Sequence, residues 1–270
     1  PPFVPPRFNL LFLGGFLYLE LTRIDESSYY SSMISKIDTI LFDLDGTLLP
    51  LDQDRFAQGY FELFAKQSAL LGYDVKVMGK GLQAGLSAMM NNDGSMTNKE
   101  RFDSVFTSVT KYDAQEMNER FLPFYEGMFE SLIEYAAPTP LSRTIVDTLA
   151  SGGCRLVLAT NPVFPRAGTL TRMRWADLFE DDFACVTTYE DFSYSKPHLG
   201  YYREIVDRLN LDPARCLMVG NDVVEDMVVL EMGMHTYLIT DCLINPQNTP
   251  LSLFRHGSLE AFATEILHEY

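Results

Sequence analysis

A short apolar run at residues 37–42, IDTILF, is the first clear structural signal along the chain. It is rich in β-branched and large apolar residues, and Asp43 follows it at once. This composition is typical of a buried strand in a parallel sheet. In parallel α/β sheets ligands bind beyond the carboxyl ends of the strands, so the polar residues after this run are candidates for a site.

The next stretch, residues 51–137, carries helical patterns and no strand pattern of comparable quality. Gly72 is a plausible helix stop. Thr97 and Glu100 have the spacing of a capping box, and an interruption is expected near Pro123. Four stretches have helical spacing: residues 54–72, 75–94, 97–112 and 113–136.

Strand and helix patterns alternate from residue 138 onward. The predicted strands are 154–160, 183–188, 216–221 and 235–240, and the predicted helices are 139–153, 165–178, 196–210 and 224–233. Alternation through short turns predicts a doubly wound parallel sheet. We therefore expect an α/β domain formed by residues 33–50 and 138–270, with an all-helical domain inserted over 51–137.

Residues 1–32 differ in pattern from the rest of the chain. Their apolar stretch, residues 8–19, is shorter than the roughly 20 residues that a membrane span needs. Only Arg7 precedes it as a basic residue, and no small-x-small cleavage signal follows. We expect this segment to be an extension or an expression-derived segment, and Met33 to start the folded domain.

The charge balance narrows the classes of partner. With 21 basic and 37 acidic residues the net charge is −16, which would repel nucleic acid and anionic membrane surfaces. We therefore expect no nucleic-acid or membrane partner. The oligomeric state stays open between a monomer and a homodimer. A small anionic substrate remains compatible, because one pocket can be locally positive or hold a divalent metal.

The cysteine and histidine residues do not form recognisable metal motifs. The four cysteines are too widely spaced for CxxC chemistry, and three of them fall in apolar strand-like runs. The four histidines show no HExxH or close pairing. The pattern favours a reducing, cytoplasmic compartment.

Polar residues follow four of the predicted strands or lie in their loops. Asp43 and Asp45 follow the first strand; on their own they also suit an ordinary Asp-Gly turn. After the second strand, the Thr160 hydroxyl and the adjacent amide of Asn161 can bind an anionic oxygen. Lys196 lies in the loop after the third strand, just before a proline suited to the first turn of a helix.

The fourth strand is followed by GNDVVED. Asp222 and Asp226 lie four residues apart there, after Gly220 and Asn221. Hard oxygen ligands from more than one strand are what Mg²⁺ requires, together with water and a substrate phosphate.

This set of residues suits phosphoryl transfer. Asp43 can attack phosphorus and form an aspartyl phosphate, and Asp45 can protonate the leaving oxygen and later take a proton from water. The repulsion between a carboxylate and a phosphate must be offset, and Mg²⁺ together with Lys196 can offset it.

The order and spacing of these residues resemble the haloacid dehalogenase (HAD) superfamily, in its phosphatase branch. DLDGT at residues 43–47 resembles the first family motif and Thr160 the second; Lys196 in SKP resembles the third, and GNDVVED the fourth. The similarity extends over residues 36–240. It implies a Rossmann-like core with a helical cap at 51–137 that closes over the site.

The resemblance also implies a role for each residue. Asp43 would be nucleophile and metal ligand, and Asp45 the acid/base whose main-chain carbonyl also binds Mg²⁺. Asp222 would complete the metal shell. Thr160, Asn161 and Lys196 would hold the phosphoryl group, with Asp226 in a supporting role. The fourth motif departs from the usual Gly-Asp, since Gly220 is followed by Asn221, so Asn221 stays an alternative ligand.

We therefore expect a Mg²⁺-dependent phosphomonoester hydrolase that acts on a small phosphorylated metabolite. Cleavage of a carbon–halogen bond is disfavoured, because it leaves no alkoxide for Asp45 to protonate. A phosphomutase of the same fold and a non-catalytic binding protein that retains the fold stay open as alternatives. Sugar phosphates, nucleotides and small organic phosphates are all admissible substrates.

Overall fold

A parallel sheet forms the centre of the computed structural model, which describes residues 12, 13, 16, 17 and 36–267. The strands are β1 (Thr39–Phe42), β2 (Arg155–Leu158), β3 (Cys185–Val186), β4 (Cys216–Gly220), β5 (His235–Ile239) and β6 (His256–Gly257). Their order is β3-β2-β1-β4-β5-β6, and every neighbouring pair is parallel. This is the order of a doubly wound sheet, as the sequence predicts.

The N-terminal segment contributes one small ladder, in which Phe12–Leu13 pairs antiparallel with Phe16–Leu17. Apart from those four residues, the extension predicted at 1–32 lies outside the described residues. Met33, the expected start of the domain, also lies outside them.

The helices fall into an inserted group and a group that flanks the sheet. Between β1 and β2 the chain forms α1 (Gln53–Leu70), α2 (Val75–Met90), α3 (Asn98–Thr110), α4 (Ala114–Glu126) and the 3₁₀ helix Met128–Tyr135. The helices that follow this 3₁₀ helix flank the sheet: α5 (Pro140–Ser151), α6 (Arg166–Trp175), α7 (Leu199–Leu209) and α8 (Leu259–Leu267). Short 3₁₀ helices lie at Glu180–Asp182, Pro213–Arg215, Met227–Met232 and Leu251–Leu253. The inserted helices, here called the cap, lie where the sequence predicts only helices.

Alternate strand residues pack on opposite faces of the sheet. Ile40 and Phe42 belong to a hydrophobic cluster that includes α5, α8 and the cap, whereas Leu41 belongs to a second cluster with Tyr201 and Ile205 of α7. This separation follows from the period of two along a strand. The sheet is therefore covered on both faces, and the cap shares one continuous core with one of them.

Three sequence expectations about these elements are wrong in detail. Helix α4 runs through Pro123 and breaks at Gly127, because Phe121 and Phe124 on its buried face pack into the cap core. The strand expected at 183–188 is only two residues long, at the sheet edge. The helix expected at 224–233 is a 3₁₀ helix, Met227–Met232. By contrast, the predicted capping box of Thr97 and Glu100 is confirmed.

A hydrogen-bonded clasp joins the cap to the core at the start of α3. The amide nitrogen of the fully buried Asn98 side chain donates to the carbonyl of Pro162 at 3.0 Å and to the hydroxyl of Ser195 at 3.1 Å. The main chain adds two bonds, from Asn98 N to Phe192 O at 2.7 Å and from Lys99 N to Tyr189 O at 2.8 Å. The cap is therefore attached to the core here as well as at its two ends in the chain.

Replacing Asn98 by alanine is expected to lower the free energy of unfolding by about 2–3 kcal/mol, because buried partners such as the Pro162 carbonyl lose their donor. Urea denaturation measures the change. Asn91→Ala is the control, since the exposed Asn91 amide bonds only within its own helix end, to Ser87 O. We expect the control to change stability by about 0.5 kcal/mol or less. Equal losses of unfolding free energy in the two variants would contradict the role of Asn98 in joining the cap to the core.

Candidate active site

The carboxyl ends of β1, β2 and β4 meet at one edge of the sheet. Phe42 is in register with Leu158 on one side and Val219 on the other. Past that point Ala159 N donates to Phe42 O at 2.7 Å, and Asp43 N donates to Val219 O at 2.9 Å. The residues that follow these strands therefore lie side by side.

A cavity of about 270 Å³ opens at this edge. Cap residues of α1, among them Gln53, Phe56 and Tyr60, form its other wall. Seven of the eight residues that the sequence assigns to the site or keeps as alternatives line it: Asp43, Asp45, Thr160, Asn161, Asn221, Asp222 and Asp226. Lys196, the eighth, lies behind Asp43.

Lys196 joins two of the carboxylates. Its side chain is 1% exposed, and Nζ donates to Asp43 Oδ1 at 2.8 Å and to Asp226 Oδ1 at 2.6 Å. Burial by itself lowers the pKa of this ammonium group, but the carboxylates of Asp226 and Asp43 together raise it well above the ordinary value. Lys196 is therefore a permanently charged anchor for the Asp43 side chain.

Asp43 keeps one oxygen for the cavity. Oδ1 accepts from Lys196, whereas Oδ2 has only a long contact of 3.5 Å with the Thr47 hydroxyl. Burial raises the pKa of Asp43 to about 8, against the opposing effect of Lys196 and with a further increase from Asp226. The site thus carries more buried negative charge than one lysine neutralises.

Thr160 and Asn161 present donors to the same cavity. The Thr160 hydroxyl and the Asn161 main-chain amide have no hydrogen-bond partner within the described part of the chain. The Asn161 side chain is already engaged, since Nδ2 donates to Glu225 Oε2 at 3.1 Å and Oδ1 accepts from Lys196 N at 3.3 Å. A phosphate oxygen would therefore meet the threonine hydroxyl and a main-chain amide.

Asn221 holds the loop of the first motif in place. Its Oδ1 accepts from Thr47 Oγ1 at 3.1 Å, and its Nδ2 donates to Cys242 O at 2.7 Å. Gly46, at φ 89°, packs so closely that a Cβ there would lie 2.3 Å from Asn221 Nδ2. Both ends of the amide are thus used inside the protein, which favours Asp222 over Asn221 as a candidate ligand.

Asp222 and Asp226 shape the turn after β4. Asp222 Oδ1 accepts from the amides of Val224 and Glu225, at 2.7 and 2.9 Å. Its Oδ2 accepts no hydrogen bond from the residues that the structure describes. Asp226 Oδ2 accepts from Asp222 N at 3.0 Å, and a Cβ on Gly220 would lie 2.1 Å from that oxygen. Asp226 therefore supports both Lys196 and the backbone of Asp222.

Comparison with known proteins agrees with this geometry. The family model of the haloacid dehalogenase-like hydrolases matches residues 37–231. The chain belongs to this hydrolase family. The resemblance of the sequence to the HAD superfamily is thereby confirmed.

A curated relative of this HAD hydrolase is haloacid dehalogenase-like hydrolase domain-containing protein 3 of Xenopus laevis, 32% identical over 104 residues. The match covers 38% of this chain and 41% of the relative. A 2-haloacid dehalogenase from Pseudomonas syringae has a TM-score of 0.56 at 17% identity, over 87% of this chain and 100% of the other. A HAD phosphatase from Thermococcus onnurineus has a TM-score of 0.52 at 18% identity, over 84% and 97%. At such low sequence identity, the structural similarity shows the fold of this hydrolase and no more.

The donor set of the HAD hydrolase fits a divalent cation. The carboxylates of Asp43 and Asp222 and the main-chain carbonyl of Asp45 are hard oxygen donors at one cavity, and burial raises the pKa of Asp222 as well as that of Asp43. In the described part of the chain no three His, Cys, Asp or Glu side chains form a metal-binding group. A site with two carboxylates and one carbonyl needs no third acidic side chain. The main-chain carbonyl of Asp45 also accepts a hydrogen bond from Gln53 Nε2 at 2.9 Å. Its second lone pair is then still available for a cation.

Arg172 is a site residue that the sequence patterns do not reveal. This α6 side chain is 2% exposed and forms a salt bridge with Asp45 Oδ2. Its guanidinium lies over the Phe164 ring at 4.4 Å. Asp45 Oδ1 is buried and has no hydrogen-bond partner among the described residues. In the sequence TRMRW, Arg172 looks like a residue on a solvent-exposed helix face. No local pattern therefore identifies it as part of the site.

No helix in the described part of the HAD hydrolase is long and apolar enough to cross a membrane.

Proposed function

We propose that this HAD hydrolase is a Mg²⁺-dependent phosphomonoesterase that acts through an aspartyl phosphate on a small phosphorylated substrate. The observation that supports it best is the pair of oxygens on Asp43. Lys196 holds Oδ1 in place, while Oδ2 faces a cavity that also contains Asp45. A fixed carboxylate with one free oxygen is suited to in-line attack on phosphorus.

In this mechanism Asp43 Oδ2 attacks the phosphorus atom, and the bond to the leaving oxygen breaks. Asp45, protonated at that moment, gives its proton to the leaving oxygen. The Thr160 hydroxyl and the Asn161 amide bind the phosphoryl oxygens. Asp43, Asp222 and the carbonyl of Asp45 would hold Mg²⁺, which when bound would supply positive charge that offsets the repulsion between the carboxylate and the phosphate.

In the second half of the reaction Asp45 accepts a proton from water, which attacks the phosphoryl group on Asp43. The bond between Asp43 Oδ2 and phosphorus then breaks, and inorganic phosphate leaves. Asp45 thus has a task in both steps, which supports an ester substrate over a haloacid. A panel of phosphomonoesters separates a hydrolase from a phosphomutase. For each ester, the release of inorganic phosphate is compared with the formation of the isomeric phosphate ester. A hydrolase releases phosphate, whereas a phosphomutase forms mainly the isomer.

Removal of divalent cations is expected to reduce hydrolysis of p-nitrophenyl phosphate by about 100-fold or more, because the buried carboxylates then repel the substrate. The experiment is dialysis against EDTA, followed by kinetics with and without added Mg²⁺. Recovery with Mg²⁺ and none with Na⁺ at equal ionic strength is expected. Full activity in the chelated protein would contradict the metal assignment.

A further inference from the structure

A second cavity, about 260 Å³ in volume, lies between the cap and the core. We call it the cap cavity. It shares Tyr60, Leu86 and Phe164 with the wall of the catalytic cavity, so the two cavities are direct neighbours. Protein interiors are close-packed with few voids larger than a water molecule, so a space of this size is a candidate binding site.

The lining of the cap cavity is mostly aromatic and aliphatic. Phe64, Phe102 and Phe121 contribute rings, and Leu82 and Met117 contribute aliphatic surface. Apolar cavities with such walls bind apolar rings.

The polar groups of the cap cavity are largely satisfied within the protein. The hydroxyls of Tyr60 and Tyr125 bond to each other at 3.2 Å. Glu190 accepts from Arg166 N, and Lys99 pairs with Asp103. A sugar with many hydroxyls would find few free partners here and would lose its hydration.

We propose that the cap cavity binds the alcohol part of the substrate, which is therefore a phosphomonoester with a flat, mainly apolar ring system. This inference rests on the proposed phosphatase function. It narrows the substrate class, because glycerol and hexose phosphates leave the cap cavity unfilled.

The first test compares kcat/KM for 1-naphthyl phosphate with that for glycerol 3-phosphate and glucose 6-phosphate. We expect the aryl ester to be better by about 100-fold, as two buried rings supply binding that the polyols lack. Leu82→Trp, which fills the cap cavity, is expected to lower kcat/KM for 1-naphthyl phosphate by about tenfold or more. The ratio of kcat/KM for 1-naphthyl phosphate to kcat/KM for glycerol 3-phosphate should therefore fall by about fivefold or more. Leu70→Trp is the matched control, because Leu70 is 67% exposed on the same domain.

A second measurement separates failure of this inference from failure of the phosphatase proposal. Equilibrium dialysis of 1-naphthol, which carries no phosphate, measures occupancy of the cap cavity without catalysis. Binding to wild type and its loss in Leu82→Trp supports the cavity even if no ester is hydrolysed. Met117→Trp replaces Leu82→Trp if the latter does not fold. No binding of 1-naphthol, or a preference for glucose 6-phosphate, would overturn the inference about the substrate class. Neither result would contradict the proposed phosphatase function.

The buried pair of Arg172 and Asp45 carries a second, independent inference. Arg172 does not line the catalytic cavity, and the rings of Phe56 and Phe164 lie beside its guanidinium. It binds Asp45 Oδ2, whereas Asp45 Oδ1 is buried and has no hydrogen-bond partner among the described residues, so Arg172 is the side chain that fixes this carboxylate. We infer that Arg172 is a positioning residue that orients Asp45 toward the leaving oxygen of the substrate.

Leaving-group dependence tests the role of Arg172. Benzyl and p-nitrophenyl phosphate carry similar rings, but only the benzyl alkoxide needs a proton as it leaves. Arg172→Met is expected to lower kcat by about 100-fold for benzyl phosphate and by less than about tenfold for p-nitrophenyl phosphate, with KM little changed. Arg172→Lys should recover part of the loss. Equal losses for both esters would show a structural role only, and a wild type that hydrolyses neither ester would end this inference together with the proposed function.

Discussion

Asp43→Asn is expected to reduce kcat/KM for p-nitrophenyl phosphate by about 10⁴-fold or more, because the amide cannot form the covalent intermediate. The loss should not come from unfolding. The asparagine oxygen can still accept from Lys196 Nζ, and replacing a carboxylate whose pKa is raised to about 8 removes buried negative charge. We therefore expect the free energy of unfolding to change by no more than about 1 kcal/mol.

Asp207→Asn is the matched control for this experiment. Asp207 is an exposed residue of α7, so its replacement should leave both activity and stability unchanged. Phosphate release and urea denaturation are measured on all three proteins. An Asp43→Asn variant that retains a tenth of wild-type activity would refute the nucleophile assignment. A wild type inactive on every phosphomonoester would favour the binding-protein alternative.

Lys196→Met is expected to lower the free energy of unfolding by about 3–5 kcal/mol, since it leaves Asp43 and Asp226 buried without their cation. Activity should also fall, because Asp43 loses the contact that fixes it. The measurement is urea denaturation of the single variant and of the double variant Lys196→Met with Asp226→Asn. The double variant should be more stable than Lys196→Met, because one of the two unpaired charges is gone.

Lys99→Met provides the surface comparison for Lys196→Met. Lys99 pairs with Asp103, but its side chain is 36% exposed, so water already screens the interaction. Its loss should cost about 1 kcal/mol or less. If the two lysine variants lost equal stability, the buried triad would not be the anchor that the structure indicates.

The local signals in the sequence were reliable where short-range interactions decide the outcome. The capping box depends only on Thr97 and Glu100, which are three positions apart in the chain, and it forms as predicted. Pro123 shows the limit of such signals. Its local preference for a helix break is overridden, because the flanking rings of Phe121 and Phe124 are buried in the cap core.

Contacts between distant segments were not accessible in the same way. Arg172 and Asp45 are 127 residues apart, and Asn98 and Pro162 are 64 apart. Nothing in the neighbourhood of Arg172 distinguishes it from a solvated arginine. Its burial depends on Phe56 of the cap and Phe164 of the core, which meet only in the folded chain.

The sequence by itself determined the parallel α/β fold and the group of polar residues at one edge of the sheet. The physical reason is that parallel strands all end at the same edge, so residues that follow separate strands must become neighbours. Only the tertiary structure decided which oxygen of Asp43 Lys196 engages, which residue holds Asp45, and that a largely aromatic cavity lies beside the site, between the cap and the core. Each of these depends on side chains from segments that pack together only after the cap has folded onto the core.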